Sequence, residues 1–196
     1  MDTIFWIVLS VPSIIIASSF HEYAHAYTAY KLGDPTPKMM DRLTLNPLKH
    51  IDPIGAISMI IFRFGWSKPV PINESYFKNP VLGTALTALA GPVSNFLLAG
   101  ICGLINMFNP SGYLGLFIYV FAIVNLSLGI FNLIPIPPLD GHKVVRALLP
   151  KKMRYSWEKL EKYSWVLILL LIFPFSNFVS GYISSTLNFF LNILGF

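Results

Sequence analysis

The sequence predicts an all-α polytopic membrane protein, with about five to six transmembrane or re-entrant helical segments and a small extended element on the cytoplasmic side. Three observations predict it. Of 196 residues, 55% are hydrophobic and only 12% charged, about half the charge of an ordinary soluble domain. The apolar residues gather in runs long enough to cross a bilayer. All 14 Lys and Arg fall within residues 31–78 and 143–162. Mean hydropathy is +0.63, and the length leaves no room for a second large domain. The chain therefore reads as one membrane-embedded unit, with a core over about residues 4–150 and helical segments over about 155–196.

Residues 4–30 are nearly all apolar or small and read as a retained spanning helix, since no basic stretch precedes them. Gly33-Asp34-Pro35-Thr36-Pro37 stops it. Arg42-Leu43-Thr44-Leu45-Asn46 alternates polar and apolar residues, which predicts a short strand. Residues 54–64 are apolar but too short to cross as a helix, so a re-entrant or interfacial piece is expected. Pro69-Val70-Pro71-Ile72-Asn73 is extended, at best an edge strand. Residues 81–107 and 113–134 are the second and third long runs, joined by a turn at Asn109-Pro110-Ser111-Gly112. Pro135-Ile136-Pro137-Pro138 breaks the chain before Asp140. The last runs, 165–173 and 178–196, read equally as one kinked span or two.

The positive-inside rule puts both basic stretches in the cytoplasm, because the turn at residues 108–112 carries no Lys or Arg. The net charge of +5 is thereby an orientation signal, and nothing in the sequence suggests a nucleic-acid partner. The single cysteine, Cys102, excludes an internal disulfide and a thiolate metal cluster.

Chemistry enters at Phe20-His21-Glu22-Tyr23-Ala24-His25. On a helix, His21 and His25 stand one above the other and can offer two imidazole nitrogens to one ion, with Glu22 beside them as a proton carrier. Ionisable residues inside a span are costly and point to function. Catalytic zinc takes three protein ligands and water. The third ligand must come from the cytoplasmic side, since the histidines lie within about 15 Å of helix rise of the end of their run. Asp140 fits best; His142 and His50 are rivals, and Glu74, Asp41 and Asp52 read as solvated loop carboxylates.

The chain resembles the site-2 protease family of intramembrane zinc metalloproteases, in its short form without appended peptide-binding or nucleotide-sensing domains. Three motifs carry the resemblance: the His-Glu motif, Ala90-Gly91-Pro92-Val93-Ser94-Asn95, and Asn132-Leu133-Ile134-Pro135-Ile136-Pro137-Pro138-Leu139-Asp140-Gly141. Leu45-Asn46-Pro47 and His50-Ile51-Asp52-Pro53-Ile54-Gly55 support it. The resemblance implies His21, His25 and Asp140 as ligands of one catalytic Zn2+, Glu22 as the base, and Asn95 as a residue that holds substrate or steadies the oxyanion. Read from the residues alone, Asn95 is equally an interhelical packing group, and Asn125 and Asn132 are structural.

The implied function is hydrolysis of peptide bonds in or near the transmembrane segments of membrane proteins. Its partners would be membrane substrates and the bilayer, with room for a regulatory membrane partner or a homo-oligomer. The expected place is the cell membrane, with the site opening toward the cytoplasm. The extended segments would present an edge to which an unwound substrate adds as a strand. Two other classes compete: a scaffold of the same shape without catalysis, and a zinc transporter, whose ligands would be strung along a path.

Overall fold

The computed structural model describes residues 3–55, 58 and 65–196 of the chain. Three helices are long and apolar enough to cross a membrane, and they form the centre of a multi-pass membrane protein. Helix α1 (Thr3–Lys31), α3 (Pro80–Asn106) and α4 (Gly112–Asn132) pack against one another. On α1, Ser13, Ala17, His21, His25 and Ala29 are buried at intervals of four, a stripe that faces the other two helices. On α3, Thr84, Ala88, Gly91, Asn95 and Ala99 form the matching stripe. Lipid tails are as apolar as leucine, so helices in a bilayer associate by close backbone approach and polar contacts, which small residues permit. Large side chains such as Ile7, Val8, Leu97 and Leu104 point outward instead.

Local chemistry sets the helix ends. Gly33, at φ +110°, closes α1: its N–H reaches Tyr30 O and that of Asp34 reaches Ala29 O, a left-handed termination that a Cβ would strain. Asn79 accepts from Leu82 N, and Pro80 opens α3 where a missing N–H costs nothing. After α4, the proline-rich turn leads straight into α5 (Asp140–Leu148). Leu139 and Ile134 of that turn pack with Ile168 and Leu171 of α7 (Ser164–Ile172), which anchors the loop that delivers Asp140. Gly141 lies where a Cβ would fall 2.6 Å from Ile134 O, so the turn requires glycine.

Between α1 and α3 the chain makes a short helix, α2 (Thr36–Met39), and two 3-10 turns, Pro47–Lys49 and Glu74–Tyr76. The small extended element expected here is not a sheet. Residues 42–46 bend, because Asp41 has a positive φ of 52° and Asn46 caps the following turn through Leu48 N. Residues 69–73 belong to no strand, and among the described residues the sole β-type pairing is the single bridge between Ile51 and Ser67. Most of the re-entrant piece expected at 54–64 lies outside the described residues.

Past α5 come α6 (Lys151–Glu158), α7, and α8 (Ser176–Ile193). The two last apolar runs, which the sequence left open as one span or two, are helices bent by 83° at a break of a few residues. Helix α8 returns against α4, where Leu191 joins Ala99, Leu126 and Ile130 in a core cluster. Gly129 on α4 faces Phe96 of α3, and a Cβ there would sit 3.3 Å from the ring. Gly129→Val is expected to wedge α3 from α4 and to lower stability by about 1–3 kcal/mol, read as a lower melting temperature of the detergent-solubilised protein.

Candidate metal centre

Helix α1 presents His21 and His25 one turn apart, and α5 presents Asp140 from its first turn. The three side chains meet. His21 Nε2 lies 3.1 Å and His25 Nε2 3.3 Å from Asp140 Oδ2, and the two Nε2 atoms are 3.0 Å apart. All three residues are buried.

Hydrogen bonds behind the imidazoles fix which nitrogen faces inward. His25 Nδ1 is 2.7 Å from Thr87 O, and a backbone carbonyl can only accept, so the proton sits on Nδ1 and Nε2 offers its lone pair. His21 Nδ1 is 2.7 Å from Asn95 Oδ1. The Asn95 amide is oriented unambiguously, because its Nδ2 donates to Ala17 O at 3.2 Å and to Asn125 Oδ1 at 3.0 Å. Asn125 in turn donates to Phe121 O at 2.9 Å. His21 therefore also turns a bare nitrogen inward.

Two lone pairs and a carboxylate oxygen thus face one another at about 3 Å, and Asp140 Oδ2 has no hydrogen-bond donor. This arrangement fits a cation. A tetrahedral zinc with bonds of about 2.0 Å separates its ligands by about 3.3 Å, close to the spacing of these three atoms. Among the described residues this is the one cluster of three such side chains placed to hold a metal. Gly91 makes room for it: a Cβ there would fall 2.5 Å from His25 Cε1 and 2.6 Å from His21 Cε1. Pro92 next to it interrupts the hydrogen-bond ladder of α3 at the level of the site.

Glu22 stands apart from the three donors. It is buried, with Oε1 accepting from the Ser67 hydroxyl and Oε2 from Val70 N at 3.1 Å. The rivals for third ligand are engaged elsewhere. His50 Nε2 faces Thr44 O at 2.7 Å. His142 stacks on Trp157, faces its carbonyl at 3.2 Å and has Nδ1 3.7 Å from Glu161 Oε1, and burial holds its pKa below the ordinary value. Asn95, to which the resemblance gives a substrate or oxyanion role, stands behind His21 with its Nδ2 donating to Ala17 O and Asn125 Oδ1. Sequence reading singled out neither Ser67, whose hydroxyl meets the Glu22 carboxylate, nor Arg42, whose guanidinium meets the carbonyls of Lys49, Lys68 and Pro69.

The chain is 40% identical over 180 residues to the Bacillus subtilis protein named "Putative zinc metalloprotease YwhC", covering 86% of this chain and 82% of that one. It belongs to the site-2 protease family. The model of peptidase family M50 matches residues 106–175. Zinc metalloprotease MJ0392 of Methanocaldococcus jannaschii is 30% identical over 79% of this chain, which spans 38% of that longer protein. The Rip2 protein of Mycolicibacterium smegmatis is 28% identical over 87% of this chain and 69% of its own length. No solved structure matches the chain. The family is one of zinc metalloproteases.

Two substitutions test the fit. Gly91→Ala should push the imidazoles apart, and Asn95→Ala should free His21 to rotate. Each is expected to weaken zinc binding by about 10–100-fold in competition with a chelator.

Proposed function

We propose that this chain is an intramembrane zinc metalloprotease that hydrolyses peptide bonds in or near the transmembrane segments of membrane proteins. The observation that carries the reading is the convergence of His21, His25 and Asp140 at tetrahedral spacing, with Glu22 one residue from a ligand, inside a bundle of apolar helices. In this reading His21, His25 and Asp140 hold one Zn2+. The ion, when bound, supplies Lewis acidity that polarises a carbonyl and makes water a readier proton donor.

The chain's own residues do the rest. Glu22 takes the proton from the attacking water and returns it to the leaving amine nitrogen as the C–N bond breaks. Asn95 and Thr87 O keep the imidazoles in the tautomer that leaves Nε2 free. The apolar walls of α1, α3 and α4 hold bulk water away from the reacting bond. The basic stretches at 31–78 and 143–162 orient the protein with the loop between α1 and α3 in the cytoplasm, so substrate would be cut near that face.

Glu22→Gln is expected to retain one zinc per chain and to lower cleavage by at least about 100-fold. The comparison is the peptide profile of membranes carrying either form. Zinc flux into sealed vesicles that Glu22→Gln leaves unchanged would favour transport, and partner binding without cleavage by the unaltered chain would favour a scaffold.

A further inference from the structure

The segment at residues 65–73 runs from beside Glu22 to the start of α2, and buried charged side chains fasten it along its length. Arg42, itself buried, donates from Nη1 to Lys49 O and from Nη2 to Lys68 O and to Pro69 O, the last at 3.0 Å. Asp34, fully buried, accepts from Asn73 N at 2.7 Å and from Thr36 N at 2.9 Å. Lys68 N reaches His50 O at 2.8 Å, and Ser67 forms the bridge to Ile51. Immediately after the segment, Glu74 pairs with Arg146 of α5 at 2.7 and 2.9 Å. A buried guanidinium bonded to three carbonyls is expensive to release, so this segment is a fixed wall and not a mobile flap.

That wall carries the two donors that hold Glu22. The Ser67 hydroxyl and the Val70 amide take one carboxylate oxygen each, and the carboxylate lies outside the group formed by His21, His25 and Asp140. A glutamate next to a metal site has two fates: it can carry protons beside the ion or bind the ion itself. The first leaves the ion with three protein ligands and water, and the second adds the carboxylate to them as a fifth ligand. We propose that Ser67 and Arg42 are positioning residues for the reaction, Arg42 clamping residues 67–70 so that Ser67 and Val70 N hold the Glu22 carboxylate beside the metal and out of its ligand set.

The proposal rests on the reading of Glu22 as proton carrier, and its test separates the two. The full-length protein, purified in detergent, is loaded with cobalt(II), whose visible absorption weakens when a fifth ligand joins four. Cleavage is followed with fluorescein-labelled casein. Ser67→Ala should keep one metal per chain, weaken the cobalt bands as Glu22 swings onto the ion, and lower kcat by about 10–100-fold with KM within about twofold. Ser67→Thr, which retains a hydroxyl, should restore both band intensity and kcat. Arg42→Lys should behave as Ser67→Ala, since one ammonium nitrogen cannot stand at the places of both Nη1 and Nη2. An unchanged cobalt spectrum in Ser67→Ala would overturn the proposal, as would faster cleavage, which would make the segment an inhibitory latch. Cobalt spectra that respond as expected in a chain that cleaves nothing would uphold the positioning and sink the protease reading instead.

Discussion

Everything in this fold answers to one electrostatic demand: two imidazole lone pairs and a carboxylate oxygen are held about 3 Å apart in an apolar bundle with no proton between them. Without a cation they repel, and a buried carboxylate without a donor is among the costlier groups a membrane protein can carry. The helices must therefore be locked from behind. Small residues on α1 and α3 bring the backbones close, Gly91 gives up its side-chain volume to the imidazoles, and Gly141 lets the turn deliver Asp140. The two glycines give up local helix preference for approach to the site.

The locking uses backbone carbonyls as fixed points. Thr87 O aligns His25, Ala17 O and Phe121 O anchor the Asn95–Asn125 pair that aligns His21, and Lys49 O, Lys68 O and Pro69 O anchor Arg42. Carbonyls suit this role because they only accept, so every donor that meets one has its orientation fixed. Chains of such bonds in a low dielectric reinforce one another. An amide network that would be unremarkable in water becomes, in the bundle, the device that fixes two histidine tautomers.

This pattern also explains what could be read in advance. The meeting of His21 and His25 was legible because helical spacing brings positions four apart together, and that of Asp140 with them because the chain returns a carboxylate to the same end of the bundle. The three long spans were legible from length and apolarity. The alternation at Arg42-Leu43-Thr44-Leu45-Asn46 misled, since the arginine points inward to carbonyls distant in sequence and Asn46 spends its side chain on a cap. Contacts to backbone leave no trace in residue type at the acceptor, which hid Arg42, and Ser67 meets Glu22 across 45 residues of chain, which no local spacing announces. Asn95 was visible as a polar residue in a span, but only the coordinates show its amide committed on every side.

The same accounting bears on how an unwound substrate could lie against residues 69–73. Pro69 and Pro71 have no N–H, Val70 N is taken by Glu22 and Asn73 N by Asp34, so of these five residues Ile72 alone could donate to an incoming strand. A regular ladder needs donors and acceptors from alternate residues of each partner. The expected strand edge is therefore lopsided: it can accept from a substrate through the carbonyls of Val70, Pro71 and Ile72 far better than it can give. A peptide docked there would keep most of its own carbonyls unbonded to the wall, and the scissile carbonyl among them would be free to turn toward the metal centre. On the protease reading, the prolines that forbid a sheet would leave the reacting group available.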